Sequence, residues 1–204
     1  MNNLSTNGIN KTFTSNIVKV ALFSAIIFAL GLTPFGFLPI LFFKITTVHI
    51  PVIIGSIVLG PKKGTFLGFI FGLTSFIMAH LQPGPTSYFF SPLVSGNLLS
   101  LVICFVPRIL VGIVPYFIFN LFKKINLYFS LIISGLIGSL VNTVLVIGFI
   151  CTFFKEEYAK ILDTNVDKLI GVVFATVSVN ATLEAIAAAL FTVSICKAIF
   201  KISK

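Results

Sequence analysis

The sequence predicts an all-α integral membrane protein, a single domain over residues 1–204 with six transmembrane helices and both termini in the cytoplasm. Three observations carry this. The chain is 57% hydrophobic and only 9% charged, whereas ordinary globular chains carry about 25% charged residues. Its apolar residues fall in long runs separated by Pro, Gly and Lys, and with about 20 residues per span the chain holds at most about six or seven helices. Its lysines favour alternate connections, the pattern that orients a membrane protein. The mean hydropathy of +1.14 excludes a cytosolic enzyme, a secreted disulfide scaffold and a disordered chain, because a soluble fold would expose too much apolar surface.

The first apolar run covers about 17–32 and is ended by Gly31 and Pro34. Ahead of it the polar stretch MNNLSTNGINKTFTSN lacks a charged run with a small-residue cleavage site, so the first run reads as a retained helix. A loop with Pro34, Gly36, Pro39 and Lys44 follows. The second run, 48–59, carries Pro51 near its start and is too short to span alone. Residues 60–64, GPKKG, read as a tight basic turn. The third run is about 65–79. The uncharged stretch 81–97, with three prolines, reads as a long loop or partly re-entrant segment. The fourth run, about 98–122, has Pro107 and Pro115 as kinks. The fifth run, about 127–154, is long enough to span with tilt. A polar connector, 155–168, precedes the sixth, about 169–199.

Charge and hydropathy agree on topology. Lys11, Lys19, Lys62, Lys63, Lys123, Lys124, Lys197, Lys201 and Lys204 lie in the N-terminal segment, the second and fourth connections and the tail, none of which holds an acid. The other side has Lys44, an uncharged third loop, and a fifth loop in which Lys155, Lys160 and Lys168 face Glu156, Glu157, Asp163 and Asp167. The net charge of +9 is therefore read as topology, with the lipid bilayer as partner and no role for nucleic acid. Cys104, Cys151 and Cys196 are far apart in apolar surroundings and read as buried structural thiols.

No GxxxxGK[ST] or GxGxxG occurs, so the chain has no visible means of hydrolysing ATP. No HExxH, GxSxG or histidine pair at metal spacing occurs either. No catalytic constellation is visible and neither a metal nor a cofactor is expected; if the chain moves anything uphill, the energy comes from a gradient or from a partner.

Two charges interrupt the apolar runs. Arg108 and Glu184 each cost about 2.5–3.5 kcal/mol at a helix centre, so each must face protein or water. At about 1.5 Å per residue, Arg108 lies roughly 22 Å above Lys123, Glu184 roughly 20 Å above Lys197, and Asn180 about one turn higher. On the same scale Asn142 lies roughly 25 Å above Lys124, His49 roughly 20 Å above Lys62 and His80 roughly 25 Å above Lys63. All six fall in the middle or outer part of a slab about 30 Å thick, as a pocket open to the outside requires. Each also has a plainer reading. Arg108 and Glu184 could form a structural ion pair, Asn142-Thr143 could join helices by hydrogen bonds, His80 could mark the interface, and His49 could start a helix. A guanidinium suits a carboxylate or phosphate, and amides, imidazole and a carboxylate suit hydroxyls and N–H groups. Together they describe a small polar molecule, an acid or a neutral compound, with hydrogen-bonding groups along its length.

Small residues form two ladders. Ala21, Ala25 and Ala29 recur on the first helix, and Gly60, Gly64, Gly68 and Gly72 run from the second turn into the third. Both permit close helix contact. Internal packing is expected of the glycines; the alanines fit internal packing or docking to another membrane protein.

The chain resembles the S components of energy-coupling factor (ECF) transporters. The resemblance rests on Ala21-Leu-Phe-Ser-Ala25, which is similar to the AxxxA signature of that family, and on VHIPVIIGSIVLGPKKGTFLGFIFGLTSF (48–76), VPRILVG (106–112) and LIGSLVNTVLVIG (136–148), in that order. It covers nearly the whole chain and is closest to the pantothenate-type branch, with hydroxymethylpyrimidine-type members similar. It implies a six-helix subunit that captures a vitamin from outside and docks on a transmembrane coupling subunit with two ATPase subunits. It implies that Ala21, Ala25 and Ala29 form the docking surface, and that the loops 34–47 and 81–97 gate the pocket. Pantothenate as ligand would place its carboxylate on Arg108 and its hydroxyls and amide on Asn142, Asn180, Glu184 and His49. The rival classes are a proton-coupled secondary carrier using Glu184 and Arg108, and a membrane enzyme or scaffold.

Overall fold

The computed structural model describes residues 3–33, 36–40, 43–81 and 87–202, with side chains for 16–33, 36, 46–81 and 87–202. Pro34, the 82–86 part of the expected outer loop, the side chains of Lys11 and Lys44, and Lys204 lie outside the described residues.

Helix α1 covers Asn3–Gly31, so the helix begins well before the apolar run. It ends where Gly31 packs so closely on Thr74 that a Cβ would lie 2.7 Å from the threonine side chain. The expected loop then contains an antiparallel hairpin of β1 (Phe37–Ile40) and β2 (Phe43–Thr46), with Phe37 opposite Thr46. This is a local addition to a helical fold.

Helix α2 (His49–Leu59) explains its own shortness. Its residues from His49 to Ile57 are all buried, and it packs on α1 and on the four long helical stretches described below. A helix sheathed in this way need not cover its own faces with lipid-length apolar sequence, and its all-round hydrophobicity is that of a core element. Gly60, at φ +90°, makes the reversal by itself. Pro61 then opens α3 (Pro61–Leu81), where a missing N–H costs nothing. The basic turn expected over 60–64 is therefore one glycine, and Lys62 and Lys63 lie in the first turn of α3.

The glycines of α3 face α5 (Leu99–Val111). A side chain at Gly64 would strike the Gly112 carbonyl, one at Gly68 the Arg108 carbonyl, and one at Gly72 the Phe105 ring. The ladder is internal packing, as expected, and Gly60 stands outside it with open space around it. The expected single kinked fourth helix is two: α5 stops at Gly112, and α6 (Val114–Phe122) restarts with Pro115 in its first turn. Pro115 thus begins a helix, and only Pro107 lies inside one.

Between α3 and α5 lie a 3-10 turn (Ser87–Phe89) and the short α4 (Pro92–Ser95). Helix α7 (Leu127–Phe153) is capped by the Asn126 side chain, which accepts from the Phe129 N–H at 3.1 Å. The polar connector contains α8 (Lys155–Ile161) and a 3-10 turn (Val166–Lys168), and α9 (Leu169–Ile202) closes the bundle. Among the described residues, four helical stretches are long and apolar enough to cross a membrane: Pro61–Leu81, Leu99–Phe122, Leu127–Phe153 and Val166–Ile202. Asn16–Gly31 and His49–Leu59 are shorter apolar helices.

Two cores result. One surrounds α2, with Ile27, Ile53, Ile54, Leu67, Val111, Leu131 and Ala188 buried around it. The other lies at the hairpin end, where Phe89 is wholly buried and meets Tyr158 at 5.4 Å and Phe154 at 5.8 Å. It fixes the segment between α3 and α5 to α8. The opposite end carries Lys62, Lys63, Lys123 and Lys124, and is called the lysine end below.

Candidate functional site

Helix registers bring the interrupting polar residues to one level. Gly138 of α7 packs on Ile53 of α2, where a Cβ would lie 2.8 Å from the isoleucine. Four residues toward the hairpin end from these are Asn142 and His49, so the equal step, about 6 Å, sets them level. Gly135 packs on Ala188 and Ala189 of α9. Seven residues outward on α7 is Asn142, and seven on α9 falls at 181–182, between Asn180 and Glu184. Gly64 packs on Ser56, and the same seven-residue step leads from Ser56 to His49 and from Gly64 to Phe71.

Arg108 joins this level through its side chain. Its guanidinium carbon lies 5.4 Å from the centre of the Phe71 ring and 4.8 Å from that of Phe90. Its Nη1 donates to the Ile103 carbonyl at 2.8 Å, five residues toward the hairpin end. Burial of this charge is offset by a hydrogen bond and by two aromatic faces.

Glu184 is held differently. Its Oε1 accepts from the backbone N–H of Thr46 at 2.8 Å. The bond ties α9 to the second hairpin strand across the top of the bundle. Arg108 and Glu184 therefore have separate partners, and the structural ion pair considered from sequence does not form.

The decisive feature is what these groups lack. Both ring nitrogens of His49, Nε of Arg108, Oδ1 of Asn142 and Oδ1 of Asn180 are buried without a hydrogen-bond partner among the described residues. His49 is wholly inaccessible, and Arg108, Asn142 and Glu184 are each below one-tenth exposed. Native proteins leave few buried polar atoms unsatisfied, and each needs a reason. The other unpartnered atoms are hydroxyls of Ser24, Ser56, Ser139 and Thr192, which need only rotate toward a helix carbonyl. An imidazole, an amide oxygen and a guanidinium edge have no such local option. Donors and acceptors gathered at one depth, with no partner among the described residues, are what a site for a polar molecule provides.

His80 is not among them. It lies nine residues beyond Phe71 on α3, about 13 Å further out. Its Nδ1 pairs with the Phe76 carbonyl at 2.8 Å and its Nε2 with the Ser91 hydroxyl at 3.0 Å. It fastens the segment before α4, whose neighbouring residue Phe90 covers Arg108. Phe71 and the Ile103 carbonyl have no place among the site groups expected from sequence, and Thr46 and Phe90 enter there only as members of the gating loops 34–47 and 81–97. Pro107, by freeing the Ile103 carbonyl, is the sequence signal that points to that group.

The alanines present a separate surface. Ala21, Ala25 and Ala29 are exposed along one side of α1, while Ile27 and Gly31 face the bundle. Beside them a groove of about 470 Å³ runs between α1 and α3, lined by Val20, Ala21, Ser24, Lys63, Phe66 and Ile70 among others. It is apolar and runs along α3 from Lys63 at the lysine end to Ile70.

Residues 15–196 match the family described as "ECF transporter, substrate-specific component". The chain belongs to this family. It is 37% identical over 205 residues to the Pantothenic acid transporter PanT of Lactococcus lactis subsp. cremoris (strain MG1363), a match covering 94% of this chain and 96% of that protein. It is 31% identical over 189 residues to the Pantothenate transporter PanT of Leuconostoc mesenteroides subsp. mesenteroides, covering 85% and 86%. An ECF substrate-specific component is a multi-pass protein of the cell membrane and a transport subunit, and the apolar helices described above fit such a subunit.

Proposed function

We propose that this ECF substrate-specific component binds pantothenate from outside the cell and delivers it through a separate energising module. The observation that carries the reading is the level of unpartnered atoms on His49, Arg108, Asn142 and Asn180. Pantothenate has a carboxylate, an amide and hydroxyls along its length. Arg108 takes the carboxylate on its open Nε edge, where a charged hydrogen-bonded pair forms. Asn142, Asn180, His49 and Glu184 take the amide and hydroxyls, while His80 holds the cover in place. The names of the two relatives support this ligand.

The whole chain acts as one domain with six crossings, the hairpin completing the crossing of α2, and both termini lie in the cytoplasm with the lysine end. The alanine face of α1 and the adjoining groove dock on a transmembrane coupling subunit, and two ATPase subunits supply the energy. The hairpin and the segment between α3 and α5 gate the site. High affinity in the free state must fall on docking, because only differential affinity can release the ligand.

Calorimetric titration of the purified chain in detergent against B vitamins and their precursors tests this. Pantothenate is expected to bind at nanomolar concentration and the other compounds far more weakly. Tight binding of a hydroxymethylpyrimidine instead would move the specificity within the family. No binding across the panel by folded protein, together with uncoupler-sensitive transport by the lone chain, would replace this reading by a proton-coupled carrier.

A further inference from the structure

Arg108 is the sole arginine of the chain, and it directly follows the one proline that lies inside a described helix away from its first turn, Pro107. In an α-helix the N–H of residue i satisfies the carbonyl of residue i−4. Proline has no N–H, and its ring pushes that carbonyl aside. The carbonyl left without its helical donor by Pro107 is that of Ile103. It is this carbonyl that receives Nη1 of Arg108, at 2.8 Å. Both residues are buried, so neither group can turn to water instead.

We propose that Pro107 is a positioning residue: by freeing the Ile103 carbonyl it creates the acceptor that fixes the Arg108 guanidinium, with its Nε edge turned toward the ligand carboxylate. This rests on the reading of Arg108 as the carboxylate partner. A guanidinium has five N–H donors in a rigid plane. Fixing one Nη between the Phe71 and Phe90 faces fixes the direction of all the others. An arginine on an unbroken helix would find no free carbonyl there and would be held by the rings alone, which set its plane but not its rotation within that plane. The proline thus supplies orientation, which is the costly part of bidentate carboxylate recognition.

The test uses the full chain carrying Pro107→Ala, which returns an N–H to Ile103. Pantothenate and its alcohol analogue, with the carboxylate replaced by a hydroxymethyl group, are titrated side by side. The wild type is expected to prefer the acid by about 100-fold or more, and the variant to lose about tenfold or more of that preference through weaker acid binding. Affinity for the alcohol should stay within about twofold, and the unfolding temperature should hold or rise as the helix regains a bond. Equal weakening of both ligands, or an unchanged preference, would overturn the proposal. Pro107→Ser restores the N–H with a different side chain and must repeat the result; it also serves if the alanine variant does not fold.

A second readout needs no ligand. Arginine-specific ¹⁵N labelling reports Arg108 alone, and its two Nη groups should be distinct in the wild type and averaged in Pro107→Ala. Averaged signals in both proteins would refute the clamp even if pantothenate binds. Distinct signals that average in the variant, in a protein that ignores pantothenate, would uphold the clamp and reject the ligand.

Discussion

The two ends of the bundle are built on opposite principles. Toward the lysine end, α3 and α5 meet where Gly64 and Gly112 bring backbone against backbone, with no side chain between them. Toward the hairpin end the bundle holds Phe71, Phe90 and a guanidinium, and polar atoms remain without partners among the described residues. The tight end fixes the fold; the other end carries unsatisfied chemistry on the scaffold so fixed. Close helix contact in a membrane depends on small residues, and the glycines of α3 keep it on α5 as far as Gly72.

This contrast can be broken most severely at Gly64→Leu. The new side chain would meet the Gly112 carbonyl directly, and the expected loss exceeds the usual 1–3 kcal/mol or so of overpacking. No monodisperse protein should survive purification in detergent; a folded variant with normal melting would refute the tight crossing. At the hairpin end, Phe89→Ala empties the centre of the second core and should cost about 3–5 kcal/mol, read as a lowered unfolding temperature. Because this segment also carries the cover over Arg108, ligand release should quicken as well.

Arg108→Ala sharpens the comparison from the other direction. It should reduce pantothenate affinity about 100-fold, about 2.7 kcal/mol, in a protein that still folds, since Arg108 pairs with Ile103 and not with Glu184. Calorimetry and melting on the same sample separate the two effects. The smallest change is expected at Glu184. Glu184→Ala leaves the Thr46 N–H without its acceptor, costing about 1–2 kcal/mol, whereas Glu184→Gln keeps an oxygen in place and should retain most of that. Hydrogen exchange at the Thr46 amide distinguishes them, faster in the alanine variant and near wild type in the glutamine one.

Hydropathy and lysine placement made the long helices readable, because those signals follow from the bilayer alone. That Arg108, Asn142, Asn180, Glu184 and His49 lie well above the lysine end was readable too, since each run can be measured from a lysine at a fixed rise. The count for His49, however, runs through the reversal at Gly60 and overstates its height: level with Phe71, it lies about 12 Å above Lys63. His80 misled that ruler: depth along a helix does not reveal a ring already engaged by Phe76 and Ser91. The 34–47 stretch reads as a loop because Pro34, Gly36 and Pro39 punctuate it, and the alternation of Phe43–Thr46 lasts only four residues. Pro115 reads as a kink because sequence alone does not distinguish a proline inside a helix from one that starts it. The hold on Glu184 was beyond reach, because its partner is a backbone N–H that any residue at position 46 would carry.

That last point has a consequence for how the protein tolerates variation. A bond from the main chain places no demand on the side chain that follows it, so a saturation library should accept nearly every residue but proline at position 46. At position 184 only residues able to present an oxygen at the same reach should persist. Paired mutational scans would thus find a contact with one strict partner and one permissive one, and methods that infer contacts from correlated substitution would not detect it.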